Sequence, residues 1–177
     1  KGNRAGLAKA LNLGINKSNG KYIARMDSDD VSELNRIEEQ VSFLESTNSD
    51  ICGCNVLIIN ENGETTDSFV SPKINEIFPA YLVSFVPFYH GSILIKKDFL
   101  TKNNIKYSSK YLAEDKILFI DFYNCGAIFG NVDKFLYKYR ILKNSLFNKK
   151  YKLLVKELKQ TNLFFIKKNI KKIKEDF

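Results

Sequence analysis

The sequence predicts an α/β layered domain over residues 1–145, followed by a basic helical extension over residues 146–177. Three observations carry this. Helix-period and strand-period segments alternate through the first 145 residues, as in helices packed on a sheet. Hydrophobic residues make up 44% and aromatics 13% of the 177, enough for a real core in a chain of one-domain size. Beyond Ser145 the strand signal stops, and apolar residues recur at helical spacing between lysines.

The elements follow in order. Leu7, Leu11 and Ile15 fall four apart and predict a helix from about Arg4 to Lys17, stopped by Asn19-Gly20. Lys21 to Met26 reads as a short strand that runs directly into Asp27-Ser28-Asp29-Asp30. Ser32 is placed to cap the next helix, which carries Ile37, Val41 and Leu44 on one face. Asp50 to Asn60 is a buried strand, and Asn62-Gly63 turns it into Thr65 to Val70. Ile74, Phe78 and Leu82 have helical spacing, but Pro79 shortens or breaks any helix there. Pro87 precedes His90-Gly91-Ser92, and Ile93 to Ile95 is another buried strand. Ala113 to Asn124 is a helix ended by Gly126, with Ile117, Ile120 and Tyr123 on one face. Phe135 to Tyr139 is a last short strand.

In the extension, Leu154, Leu158, Ile166, Ile170, Ile173 and Phe177 predict amphipathic helix, divisible into two pieces around Thr161-Asn162. From Lys149 onward ten lysines face Glu157, Glu175 and Asp176, a net of +7 out of the chain's +8. The body is therefore near neutral, which argues against a nucleic-acid-binding domain. Lysine-rich amphipathic helices bind anionic lipid surfaces, so a peripheral seat on the inner face of the cell membrane competes with simple packing on the domain. The apolar run Ala80 to Tyr89 is too short to span a bilayer. Three cysteines, Cys52, Cys54 and Cys125, suit buried or free thiols in a reducing, cytoplasmic compartment better than a disulfide scaffold. The chain starts at Lys1 with no signal peptide in view, and the natural protein is expected to begin further upstream.

Three features could carry chemistry. Clustered carboxylates at Asp27, Asp29 and Asp30 are costly unless a cation neutralises them, and oxygen-only ligands suit Mg²⁺ or Mn²⁺. If the strand continues, Asp27 and Asp29 point the same way. An Asp-rich solvated turn is the simpler alternative. Glu114-Asp115 opens a helix, where acids serve either the helix dipole or general-base chemistry. His90 is the single histidine and has a structural reading as well as a functional one.

Taken together these residues resemble family 2 glycosyltransferases. The resemblance rests on Gly6-Leu7-Ala8-Lys9-Ala10-Leu11-Asn12, on Tyr22-Ile23-Ala24-Arg25-Met26-Asp27-Ser28-Asp29-Asp30, and on Arg36 and Gln40. His90-Gly91-Ser92, Ala113-Glu114-Asp115 and Tyr139-Arg140 follow in the family's order. It implies a GT-A nucleotide-diphospho-sugar transferase fold, a Rossmann-like mixed sheet flanked by helices, lacking its first strand region here. It implies that Asp29, with Asp27, holds Mn²⁺ or Mg²⁺ and the donor, and that Asp115 is the catalytic base of an inverting displacement. Glu114, His90, Asp30 and Arg140 would contact substrate. The implied donor is a UDP-sugar, and the acceptor a glycan or lipid-linked hydroxyl in surface polysaccharide biosynthesis. Three departures stand out: the absent upstream segment, Leu34 in place of the usual Pro, and Leu142 where a His usually follows Tyr139-Arg140. Lys116-Ile117 and Phe119 also replace the family's usual aromatic, acid and Trp. They leave an inactive remnant of such an enzyme as the alternative reading.

Overall fold

The computed structural model describes residues 6–73, 78–142 and 146–175. Six strands form one mixed sheet: β1 (Tyr22–Ala24), β2 (Val31–Ser32), β3 (Ile51–Ile59), β4 (Thr65–Phe69), β5 (Leu94–Lys96) and β6 (Phe129–Arg140). The helices are α1 (Leu7–Lys17), α2 (Arg36–Ser46), α3 (Phe78–Ser84), α4 (Lys97–Lys102), α5 (Glu114–Asn124) and α6 (Leu146–Glu175). The strand order is β1-β5-β3-β6-β2, with β4 also on β3. β5 pairs with the start of β3 and β4 with its end, both antiparallel, while β3 and β6 run parallel. The predicted layered α/β class stands.

β3 is buried almost throughout because the sheet is covered on both faces. Side-chain alternation separates the two cores. Ile51 joins the larger one with Phe78, Phe88, Phe119, Phe122 and Phe129, under α1, α3 and α5. Cys52 joins Leu44 of α2 and Leu94 on the other side. The Cys52-Gly53-Cys54 run is a packing device: both thiols are free and fully buried, and burial pushes Cys54 up to about 11. A Cβ on Gly53 would lie 2.2 Å from the Phe88 ring, so no larger residue fits between the two cysteines.

β6 carries extra residues relative to β3, with register shifts on either side of Asn55. The buried Asn55 mends this break. Its amide nitrogen donates to Asp133 at 3.0 Å, and its oxygen accepts from Asn131 Nδ2 and the Ser71 backbone N–H. The bulge re-phases the strand.

Several expectations are corrected. Leu7 is half exposed, and α1 buries Ala8 instead, with Leu11 and Ile15 partly covered. Ser32 lies in β2 rather than at a helix cap, and α2 starts after Asn35 with no side-chain cap. Ile37 is exposed, and α2 turns Arg36, Gln40 and Leu44 inward. The last strand starts at Phe129, not Phe135. Gly130 and Asn131 have low strand propensity, and parallel pairing to β3 makes them extended. The short α4 has no counterpart in the sequence reading. The chain does not divide at Thr161-Asn162: α6 is continuous, and the Thr161 hydroxyl bonds back to the carbonyls of Glu157 and Leu158. Arg4, Ile74, Phe177 and the side chains of Leu154, Ile170 and Ile173 lie outside the described residues.

The extension also packs on the domain. Thr161, Phe165 and Asn169 form its buried stripe, and the Phe165 ring meets Tyr123 of α5 edge to face at 5.5 Å. α5 is thereby covered on several sides, which explains why its apolar residues are not confined to one face.

Candidate active site

β1 ends at Ala24, so the chain does not continue as a strand through the aspartates. Arg25 N–H still donates to the Ile93 carbonyl at 3.1 Å, and the chain then turns, with Asp30 N–H on the Asp27 carbonyl at 3.3 Å. The turn gives each aspartate a different environment. Asp27 is half buried and pairs with Arg25, Nη1 to Oδ2 at 2.5 Å. Asp29 is exposed, and among the described residues its carboxylate has no bonding partner. Asp30 is buried: its Oδ2 accepts from the Tyr137 hydroxyl at 2.6 Å and its Oδ1 from the Arg140 backbone N–H at 2.7 Å. Burial raises the Asp30 pKa, and those two bonds oppose the shift.

Tyr137 is the hub of this region. Its hydroxyl also accepts the Asp27 N–H at 3.2 Å. Its ring lies 5.0 Å from the Arg36 guanidinium and directly against Gly91. Arg36 Nη1 donates to the Gly91 carbonyl at 2.9 Å and to the Arg25 carbonyl, while Gln40 Nε2 donates to the Ser92 carbonyl at 2.8 Å. The inward polar stripe of α2 thus holds the 3-10 turn His90–Ser92 beside the aspartate loop. Arg140 closes the loop from β6: its Nε donates to the Asp29 carbonyl at 2.8 Å, and its Nη1 to the Asn60 and Glu61 carbonyls.

Asp27, His90 and Asp115 line one cavity of about 580 Å³, with Phe85, Tyr89 and Tyr139 among its aromatic wall. Asp29, Asp30, Glu114 and Arg140 do not line it. His90 Nε2 lies 2.7 Å from the Tyr107 hydroxyl, and burial holds its imidazole well below the usual range, hence neutral at pH 7. Burial also raises the pKa of Asp115, though its Oδ1 takes the Lys116 N–H at 2.7 Å. Burial raises Glu114 in the same way. The fully buried Lys116 ammonium donates to the Phe85 carbonyl at 3.2 Å and is lowered by burial to about 8. The arrangement offers one carboxylate of raised basicity facing an aromatic cavity, with a second, arginine-paired carboxylate in the same wall.

The model of Glycosyl transferase family 2 matches residues 1–129. The chain belongs to glycosyltransferase family 2. The transferase is 35% identical over 140 residues to the O-antigen biosynthesis glycosyltransferase WbnJ of Escherichia coli, covering 76% of this chain and 53% of that protein. It is 29% identical over 136 residues to the amylovoran biosynthesis glycosyltransferase AmsE of Erwinia amylovora, covering 76% and 50%. The chain therefore spans about half the length of these relatives. Among solved structures, S. aureus TarS 1-349 in complex with UDP-GlcNAc superposes with a TM-score of 0.60 at 17% identity, covering 79% of this chain and 40% of that one. The fold is GT-A, as expected from the aspartate and Glu114-Asp115 motifs.

Arg25 and Tyr107 were missed as site residues by the sequence reading. Arg25 is buried and borders both the main cavity and a second one of about 420 Å³ between α1 and β1. A lone basic residue just before an acidic cluster is the sequence signal that could have found it. Nothing local marks Tyr107, whose role comes from the fold bringing it to His90.

Proposed function

We propose that this chain carries the diphosphate and base side of a glycosyltransferase that moves a sugar from a nucleotide-diphospho-sugar, a UDP-sugar, to a hydroxyl of a glycan or lipid-linked acceptor. The reaction inverts the anomeric centre and serves surface polysaccharide biosynthesis. The observation that carries this reading is the shared cavity of Asp27 and Asp115, with Asp29 free on the adjoining loop. The names of the relatives support the pathway class, and UDP-GlcNAc in TarS supports the donor class.

Among the described residues no three His, Cys, Asp or Glu side chains converge as a ready-made metal cage. The donor set still suits Mg²⁺ or Mn²⁺, which are held by one or two carboxylates together with substrate phosphates and water. Asp29, joined by Asp27, would hold the ion, which supplies Lewis-acid relief of the charge on the departing diphosphate. Arg25 keeps Asp27 oriented. Arg140, Asp30 and Tyr137 fix the loop backbone, which makes Asp30 and Arg140 anchors rather than direct substrate contacts. Asp115 takes the proton of the attacking hydroxyl. Neutral His90, fixed by Tyr107, contributes a hydrogen bond to a sugar hydroxyl, and Glu114 lies toward the acceptor side.

The test is UDP binding by calorimetry with and without Mn²⁺. Asp29→Asn should remove the Mn²⁺-dependent part, about tenfold or more in affinity, in line with a charge-assisted contact. Unchanged Mn²⁺-dependent binding would remove Asp29 from the metal site. Donor hydrolysis by the wild-type chain separates the working enzyme from the inactive remnant.

Among the described residues no helix is long and apolar enough to cross a membrane. We place the enzyme peripherally on the inner membrane face through the outer side of α6, where Leu153, Leu163 and Phe164 are exposed beside Lys156, Lys159, Lys167 and Lys168. Since the inner side of α6 belongs to the core, Leu163→Ser with Phe164→Ser is a cleaner probe than truncation. The pair should lower co-sedimentation with phosphatidylserine vesicles several-fold. Equal sedimentation would discard the membrane seat.

A further inference from the structure

We infer that Glu157, on the C-terminal helix, is a positioning residue for the Glu114-Asp115 end of α5, so that the extension belongs to the catalytic apparatus. The proposal rests on the transferase reading of Asp115.

The N-terminus of α5 is only partly secured by its own sequence, through the Lys116 N–H donating to Asp115 Oδ1 at 2.7 Å. The residue at its cap is Ala113, which has no side-chain acceptor for the free backbone N–H groups of the first turn. The chain reaches it through Ser109 to Leu112, which are exposed. Capping comes from outside: Ala113 N–H donates to Glu157 Oε1 at 2.8 Å, across 44 residues. Ala113 itself is 3% exposed, so its N–H has little access to water and needs this acceptor. On its other side the Ala113 carbonyl accepts from Ile117 N–H at 3.2 Å, which starts the helix. Ala113 is thus tied on both sides, and Asp115, two residues on, inherits that position.

Glu157 is held in turn. It lies one turn before Thr161, whose hydroxyl donates to the Glu157 carbonyl, and two turns before Phe165, which is fully buried against Tyr123 at the far end of α5. α6 therefore grips α5 at both ends, by an aromatic contact and by a charge-assisted hydrogen bond. The sequence fits this: Glu157 is the one acid between Lys149 and Lys174, a stretch with ten lysines.

A shift of about 1 Å in a catalytic group can cost up to about 10²-fold in rate, so loss of this tie should appear in turnover more than in donor affinity. The experiment compares Glu157→Ala and Glu157→Gln in the full chain, since Gln keeps the acceptor oxygen at the same reach. Hydrolysis of UDP-glucose and UDP-GlcNAc with Mn²⁺ gives kcat and KM, and amide hydrogen exchange follows residues 113–117. Glu157→Ala should lower kcat about tenfold with KM for donor within about twofold, and speed exchange in that turn. Glu157→Gln should restore both. Unchanged kcat or unchanged exchange in Glu157→Ala overturns the proposal, as does equal impairment by Ala and Gln. Wild-type protein that turns over no donor would instead sink the transferase reading, and the exchange comparison alone would then decide whether Glu157 holds α5.

Discussion

Asp115→Asn should slow sugar transfer severely while making the protein more stable. The rate loss expected for removing a positioned general base is about 10²–10⁴-fold. The stability gain follows from burial. The folded-state pKa of Asp115 is raised, chiefly by desolvation, with the Lys116 backbone bond opposing it. A carboxyl with a raised folded pKa is favourable to folding in its protonated form, fully so below its unfolded value. That contribution is lost as pH rises through the folded value. Above that folded value the wild-type protein therefore carries an ionised group in a site that disfavours it. Asn removes the charge and keeps an oxygen for the Lys116 N–H. Thermal melts should place the variant above wild type at pH 7 and close to it below about pH 4, the ordinary carboxylate range. The same shift puts the acid limb of the wild-type kcat/KM profile above that range. A variant that melts lower at pH 7, or that keeps near wild-type turnover, would contradict this role for Asp115.

Gly91→Ala should damage the aspartate loop from a distance. A Cβ at Gly91 would stand 2.3 Å from the Tyr137 hydroxyl oxygen and 2.7 Å from its Cζ. Neither partner can yield easily. The Tyr137 ring is fully buried under Arg36, and its hydroxyl is committed to Asp30 and Asp27. The Gly91 carbonyl is held by Arg36. Overpacking of this kind costs about 1–3 kcal/mol. For a chain of this size each kcal/mol lowers Tm by about 2–4 °C. Displacing Tyr137 also strips one partner from buried Asp30, so Mn²⁺-dependent UDP binding should fall with stability. Gly14→Ala, inside α1 where a Cβ meets nothing within 4 Å, is the control: it should leave UDP binding unchanged and raise Tm slightly, because Ala favours helix over Gly by about 0.5–1 kcal/mol. Normal UDP binding and an unchanged Tm in Gly91→Ala would show that the turn can relax.

How far the sequence could be read depended on the range of the forces involved. β3 was legible because its apolar run is self-evident, and the β3–β4 hairpin because Asn62-Gly63 states its own turn; Gly63 has φ +88°. The first half of β6 was not legible, since its residues become a strand only beside β3. The helical face of α2 was misread because its buried residues include Arg36 and Gln40, whose partners are backbone carbonyls at Gly91 and Ser92. Within the site, the resemblance named Asp27, His90 and Asp115, which share the cavity wall. It assigned Asp29 to the metal and Asp30 to the substrate, but it did not show that Asp29 is free and Asp30 is anchored in the fold. That distinction depends on Tyr137 and Arg140, far along the chain.

The same separation has a consequence for how the protein comes into being. The bonds that close the aspartate loop span 107 and 110 residues, and the central β3–β6 pair joins Ile51 to Phe129. Contacts this distant in sequence form late, because the chain must first surrender the entropy of a long loop. During synthesis the loop at Asp27–Asp30 emerges among the first residues of this segment but acquires its last fixed partner only when Arg140 arrives. Closure of the aspartate loop is thus among the final steps of folding. Release from the ribosome before that point would yield a chain with helices and hairpins already present and the aspartate loop still open.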